Sequence, residues 1–288
     1  MDKRLYSPKA TKEIIEKYGF KFSKSFGQNF LIDKNILDKI CEGANITKED
    51  GVIEIGPGIG TLTQELCERA GKVVAVELDN RLIPILDETL FSYDNVKVIQ
   101  GDILKIDIED LIKTEFDNKK VKVVANLPYY ITTPIIMKLL EERYNIEKIV
   151  VMIQKEVAMR IQAAPGGKDY GALSIAAQYY SNPQIIANVP KNVFIPKPKV
   201  DSAVIMLDVY SKPKFNVKDE KLLFKVVKAA FSKRRKTLVN ALSSGGLGLE
   251  KDQIREILSK HDIDHRIRGE KLSIEDFIKI SDAIYSIQ

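Results

Sequence analysis

The sequence predicts an α/β protein, a parallel sheet with helices on both faces, followed by a smaller helical domain. Two patterns carry that prediction. Short β-branched runs alternate with helical segments from Gly51 to Ile153, and residues 218–288 read as helical only. The length agrees, because 288 residues exceed one average domain. The boundary falls at a linker-like stretch, Lys212–Phe215, giving expected domains of 1–210 and 211–288.

In chain order, the first 50 residues read as two short helices joined by a turn-rich stretch, Gly19–Asp33. Then come strand 51–55, helix 61–70, strand 72–77, helix 81–90 and strand 96–99. Strand 121–125 precedes a helix begun by Pro134, whose missing N–H suits a first helical turn, and then strand 149–153. Strands near 184–189 and at 202–209 fit an antiparallel ending of the sheet. The C-terminal helices break at Ser243-Ser244-Gly245-Gly246.

Composition excludes several classes. Apolar residues at 44% supply a sizeable core, and 30% charged residues with 16 Gly and 11 Pro match neither disorder nor collagen. The longest strand-like apolar runs are about five residues, as at 149–153, far short of the roughly 18 needed to span a bilayer. The N-terminal MDKRLYSPKATKE is charged with no apolar stretch behind it, so no signal peptide and a cytoplasmic protein are expected. Cys41 and Cys67 have no C-x-x-C spacing, which argues against disulfides and a thiolate zinc site. His261 and His265 stand four apart but lack any H-E-x-x-H or cysteine partner, so no metal is expected. The net charge of +5 is unevenly spread: residues 1–210 hold 28 basic against 29 acidic side chains, residues 211–288 hold 17 against 11. A polyanion-binding surface in the last quarter follows.

The strongest local signal is VIEIGPGIGTLT, residues 52–63, where a strand runs into Gly56, Gly58 and Gly60 before a helix. Glycines allow close approach of a ligand, and the helix start offers free N–H groups. Thr61 stands where a dinucleotide motif needs its third glycine, and no Gly-Lys-Ser/Thr follows. The spacing instead resembles E-x-G-x-G-x-G, the first motif of S-adenosylmethionine-dependent methyltransferases. Glu77 ends the next strand, where a carboxylate can accept from both hydroxyls of a ribose, and Asp102 follows the third, suited to an adenine amino group.

The fourth strand ends in Asn126-Leu127-Pro128-Tyr129. An adenine amine is a poor nucleophile because its lone pair is delocalised into the ring. Acceptors aimed at its hydrogens, from Asn126 and the adjoining backbone carbonyl, favour a more tetrahedral nitrogen. Pro128 stiffens the turn, and Tyr129 offers a face for an extruded base.

Together with these motifs, KFSKSFGQNFLID, VFIPKPKVDSAVI and AFSKRRKTLVNAL resemble the ribosomal RNA adenine dimethyltransferases over roughly residues 10–285. The likeness is greatest to the KsgA-type branch acting on small-subunit (16S) rRNA. It implies a seven-stranded Rossmann-like methyltransferase sheet with a C-terminal helical rRNA-binding domain. It also implies S-adenosylmethionine as cofactor, with S-adenosylhomocysteine as product. The implied substrate is a pair of adjacent adenosines near the 3′ end of 16S rRNA in the 30S subunit, each dimethylated during ribosome biogenesis. Carried over by position, Asn29, Leu31, Gly56, Glu77, Asp102 and Asn126 line the cofactor site. Asn126, Leu127, Pro128 and Tyr129 form the catalytic tetrapeptide, and Phe194 closes on the other side of the target base; Pro196 and Pro198 beside it favour a rigid exposed loop over a core phenylalanine.

Lys233, Arg234, Arg235 and Lys236 are four consecutive cations that cannot share one helical face, so some reach solvent or RNA phosphate. Small-subunit enzymes carry a similar run and the enzymes acting on 23S rRNA generally do not. Methylation of 23S rRNA conferring antibiotic resistance is the nearest alternative. A DNA adenine methyltransferase, an assembly factor acting mainly by binding and a dehydrogenase stand further off. Nothing in the sequence requires more than a monomer.

Overall fold

The computed structural model describes residues 4–23, 27–233 and 235–287. Two compact units emerge, one formed by residues up to 158 with 181–211, the other by residues 159–180 with those from 212 onward. The segment 159–180 joins the C-terminal helices through specific bonds. The Tyr170 hydroxyl donates to the Leu272 carbonyl at 3.0 Å, and the Tyr179 and Tyr180 hydroxyls reach the Glu220 carboxylate at 3.1 and 2.7 Å.

The first unit begins with α1 (Pro8–Lys17), β1 (Phe30–Leu31) and α2 (Lys34–Ala44). It continues with β2 (Gly51–Ile55), α3 (Thr61–Arg69), β3 (Lys72–Glu77), α4 (Ile83–Thr89) and β4 (Val96–Gln100). Next are α5 (Ile108–Phe116), β5 (Val121–Asn126), α6 (Thr132–Glu141), β6 (Ile146–Gln154) and α7 (Lys155–Gln162), which runs into the second unit. There follow α8 (Ala172–Tyr180) of the second unit, then β7 (Ser181–Val189), β8 (Phe194–Ile195) and β9 (Ser202–Val209).

Seven strands form one sheet in the order β4-β3-β2-β5-β6-β9-β7. The first five are parallel, and β9 runs antiparallel to both β6 and β7, which is the antiparallel ending the sequence predicts. Val123, Val124, Ile149, Val150 and Val151 are fully buried, because parallel strands covered on both faces read as unbroken apolar runs. Chain order reverses between β2 and β5: β3 and β4 lie to one side, β6 to the other. A crevice opens at such a switch point, outside the carboxyl ends of the strands.

The structure corrects several boundaries. Helix α6 starts at Thr132, two residues before Pro134, which is still inside the first turn where backbone N–H groups lack helical acceptors. Helix α5, N-capped by the Asp107 carboxylate, is an addition, as are α7 and α8. So is the two-stranded ladder of β1 with β8, in which Leu31 faces Phe194.

In the second unit, α9 (Glu220–Ser232), α10 (Leu238–Ser243), α11 (Lys251–Lys260) and α12 (Ile274–Tyr285) pack on one another, and α8 packs on α9. The Asp219 side chain caps α9 and Ser273 caps α12, each contributing about 1 kcal/mol. Leu223, Val226 and Ala230 share the inward face of α9 at helical spacing, and Phe277 of α12 is fully buried.

Candidate active site

The crevice at the switch point is a pocket enclosing about 1070 Å³ of non-protein space, its open mouth included. Its wall is built by the carboxyl ends of β2, β3 and β5, by the residues after β4, and by the segment 27–31 from the N-terminus.

Strand β2 delivers the glycine turn. Gly56 has φ +68° and its N–H donates to the Val76 carbonyl at 2.9 Å, so the turn is tied to β3. At Gly58 (φ +62°) a side chain would bring its Cβ within 3.0 Å of the Phe30 ring, so only glycine lets β1 lie this close. Glu77, buried at the end of β3, accepts from the Gly58 N–H at 3.1 Å and the Asp79 N–H at 2.8 Å. Burial raises its pKa to about 7; backbone donors at Asp79 and Gly58 oppose the shift and the Asp79 charge adds to it. Asp102 lies just beyond β4, its Oδ1 accepting from the Leu104 N–H at 3.0 Å. Lys138 of α6 holds that loop by donating to the carbonyls of Ile103, Leu104 and Ile106 at 3.1, 3.0 and 2.7 Å.

Asn126 ends β5, and its Nδ2 donates to the Asn29 carbonyl at 2.9 Å. A carbonyl only accepts, so the amide nitrogen must face it, which leaves Oδ1 as the acceptor available elsewhere. Leu127 is buried, its N–H donating to the Met152 carbonyl at 3.1 Å, and the Pro128 carbonyl receives the Thr132 hydroxyl at 3.1 Å. These bonds fix the turn. The Tyr129 hydroxyl is 2.6 Å from the Ser202 Oγ, which anchors the far edge of its ring.

Asn29, Leu31, Gly56, Glu77, Asp102, Asn126, Leu127, Pro128 and Tyr129 all line this one pocket. Phe194 does not. The residue is 4% exposed and packs in the core cluster with Leu31, Val189 and Val204, not in the exposed loop that its flanking prolines suggest. Lys233, Arg235 and Lys236 are exposed beyond the end of α9 in the second unit, and Arg234 lies outside the described residues. No group of metal-ligating side chains occurs among the described residues, and no described helix is long and apolar enough to cross a membrane.

Among the pocket residues that escaped the sequence reading, three carry polar groups of consequence. Gln28 is attached to Asp79 at 2.7 Å. Tyr130 is 56% exposed at the rim, its ring covering Gly27. Glu54, the acidic residue of the glycine motif, is buried with Oε2 unpartnered; burial above all, and then the Glu77 charge, raises its pKa to about 8. Each had a positional signal: Glu54 in E-x-G-x-G-x-G, Gln28 beside Asn29 in KFSKSFGQNFLID, and Tyr130 directly after the Asn126–Tyr129 turn.

The lining carries three carboxyl groups, Glu54, Glu77 and Asp102, and no lysine or arginine among the described residues. Such a wall accepts hydrogen bonds from ribose hydroxyls, an adenine amine and an ammonium group. It suits a nucleoside ligand bearing positive charge and disfavours a pyrophosphate, whose negative charge it would repel.

Comparison with known proteins agrees with that chemistry. The family model described as ribosomal RNA adenine dimethylase matches residues 19–286. The ribosomal RNA small subunit methyltransferase A of Alkaliphilus oremlandii is 61% identical over 274 residues, 95% of this chain and 96% of that protein. The protein of the same name from Clostridioides difficile is 59% identical over 282 residues, 98% and 97% of the two chains. Among solved structures, a dimethyladenosine transferase from Plasmodium falciparum superposes with TM-score 0.75 at 28% identity, covering 87% of this chain and 95% of its own. The 23S rRNA methyltransferase ErmE shares the fold, with TM-score 0.69 at 24% identity over 89% of this chain and 99% of its own.

Proposed function

The chain belongs to the ribosomal RNA adenine dimethylase family, and on that footing we propose that it dimethylates two adjacent adenosines in the 3′-terminal hairpin loop of 16S rRNA. It is an S-adenosylmethionine-dependent rRNA methyltransferase, and the small subunit is its substrate rather than the 23S rRNA. The observation that supports this reading best is the convergence of Glu77, Asp102 and the Asn126–Tyr129 turn on one acidic pocket. It works as a metal-free monomer in the cytoplasm.

When bound, S-adenosylmethionine supplies an activated methyl group on a cationic sulfur. Glu77 would accept from its ribose hydroxyls and Asp102 from its adenine amino group, while Asn29, Leu31 and the Gly56 turn would shape the remaining wall. Asn126 Oδ1 accepts from the target amine, and Tyr129 stacks on the extruded base. No side chain need act as a strong base, because the amine proton leaves to water after transfer. Catalysis then rests on alignment and on the pocket's preset charges.

The deciding experiment incubates the protein with radiolabelled S-adenosylmethionine and undermethylated small-subunit particles, naked 23S rRNA or duplex DNA, then identifies the labelled base. Dimethyladenosine from the small-subunit particle is expected; label in 23S rRNA or DNA instead overturns the reading.

Tyr129→Ala is expected to lower kcat/KM for RNA roughly tenfold, since stacking a base on an aromatic ring contributes about 1–3 kcal/mol. Phe194→Leu tests the second aromatic while keeping the core filled. Slower transfer with an unchanged melting temperature places Phe194 at the target base, and lost stability alone leaves it in the core. For the basic run, Lys233→Ala, Arg235→Ala and Lys236→Ala should weaken RNA binding and flatten its dependence on log salt by about 0.7–0.9 for each phosphate no longer neutralised. An unchanged slope would make the run a solvated one.

A further inference from the structure

We infer that Gln28 and Asp79, neither placed in the catalytic turn, are positioning residues that hold the Asn29 carbonyl against Asn126 and so aim the Asn126 Oδ1 at the target amine. The inference deepens the reading above and rests on it for the role of Asn126.

The Asn29 carbonyl is the one protein group bonded to the Asn126 amide nitrogen among the described residues, at 2.9 Å. That carbonyl belongs to a loop segment, not to the sheet, so its position depends on what anchors the loop. On one side, the Asn29 Nδ2 donates back to the Gly27 carbonyl at 2.9 Å, a bond within the segment that fixes its shape but not its place. The backbone is tied down after Asn29 by the β1–β8 ladder that starts at Phe30, and on the other side the side-chain anchor to the rest of the unit is Gln28. Its Nε2 donates to the Asp79 Oδ2 at 2.7 Å, and its Oε1 accepts from the Ser23 N–H at 3.1 Å.

Asp79 is itself rigidly held. Its side chain is almost wholly buried, and Arg81 binds it through Nε at 2.8 Å and Nη2 at 2.6 Å, the two-pronged arrangement that fixes a carboxylate in plane. Arg81 also reaches the N-terminal segment, donating to the Lys21 carbonyl at 3.2 Å and lying 5.1 Å over the Phe20 ring. The Asp79 backbone N–H donates to Glu77 at 2.8 Å. One residue, through its backbone N–H and its carboxylate, therefore connects the residue that receives the ribose to the loop that orients the catalytic amide. Without the Gln28 bond, the Asn29 carbonyl is held from the β1 side alone, and the Asn126 amide, whose last torsion is broad and soft, is oriented less firmly. Errors of about 1 Å in such alignment cost up to a hundredfold in rate.

Two measurements test this. First, exchange of the Asn126 side-chain amide protons is followed by NMR in the protein alone, the signals being assigned by their loss in Asn126→Ala. Second, single-turnover methyl transfer and S-adenosylhomocysteine binding are measured for Gln28→Ala, for Asp79→Asn, which leaves one acceptor oxygen where Gln28 and Arg81 together use two, and for Gln28→Ala combined with Asn126→Ala. Faster amide exchange is expected in Gln28→Ala and Asp79→Asn, with transfer slowed about tenfold or more and product affinity changed less than about threefold. In the Asn126→Ala background the Gln28 substitution should cost less than about twofold, because the group it positions is gone. Unchanged amide exchange, unchanged transfer, or a full additive cost in the double variant overturns the inference. Failure of the unsubstituted protein to methylate small-subunit particles would instead remove the proposed function, and the amide exchange would still decide whether Gln28 fixes Asn126.

Discussion

Replacing Asn126 by alanine is expected to slow methyl transfer by about a hundredfold or more while changing cofactor affinity less than about threefold. The side chain is placed to polarise, not to hold. Its nitrogen is occupied by the Asn29 carbonyl, so Oδ1 is presented to the pocket at no further ordering cost. A preset dipole of this kind is worth most where charge develops during reaction, and removing one such group from other enzymes costs about 10² to 10³ in rate. The cofactor would keep Glu77, Asp102 and the glycine turn. Equal losses in transfer and in cofactor binding, measured by single turnover and by calorimetry, would assign Asn126 to binding and leave the reaction without an identified activator.

Replacing Glu77 by alanine should do the reverse and weaken cofactor binding by about a hundredfold. Hydrogen bonds to a charged group contribute about 1.5–3 kcal/mol each; two from a ribose would be lost, and the Gly58 and Asp79 N–H groups would lose their acceptor. The same carboxyl makes binding depend on pH. Burial raises its pKa to about 7, so the ionised form that accepts two hydroxyls prevails above that value and is lost as pH falls through it. Affinity for S-adenosylhomocysteine should therefore weaken below about pH 7, approaching tenfold per pH unit, and Glu77→Gln should abolish that dependence. For folding the sign is opposite. A carboxyl whose folded pKa lies above its unfolded value costs stability as pH rises between the two, so Glu77 and Glu54 favour the mildly acidic side.

Strands β2 and β3 match the sequence prediction residue for residue, because buried parallel strands are written as short apolar runs closed by a glycine or a carboxylate. Gly56, Glu77, Asp102, Asn126, Pro128 and Tyr129 were legible for a related reason: each stands at a strand end or in a turn whose residue types serve chemistry better than packing, whereas Asn29 and Leu31 came from the family likeness alone. Helix α5 was not legible, since its nine residues, IEDLIKTEF, carry only two turns of apolar spacing. Gln28 and Asp79 were hidden differently. Their importance lies in a bond across 51 residues of chain, and no periodicity records which polar side chains meet in space. Phe194 shows the converse, where position in a motif suggests the pocket while burial at 4% places the ring in the core.

The two-residue ladder between Phe30–Leu31 and Phe194–Ile195 joins segments more than 160 residues apart in the chain. A ribosome releases the N-terminal end first, at about 5–20 residues per second. The parallel strands that supply Glu77, Asp102 and Asn126 are thus made many seconds before the partner of Phe30 exists. Throughout that interval the nascent protein owns its carboxylates and its catalytic turn but lacks the backbone pairing that seats the wall opposite them. Competence arrives with the late strands, so synthesis itself delays the moment at which the newborn enzyme can bind its small molecule tightly.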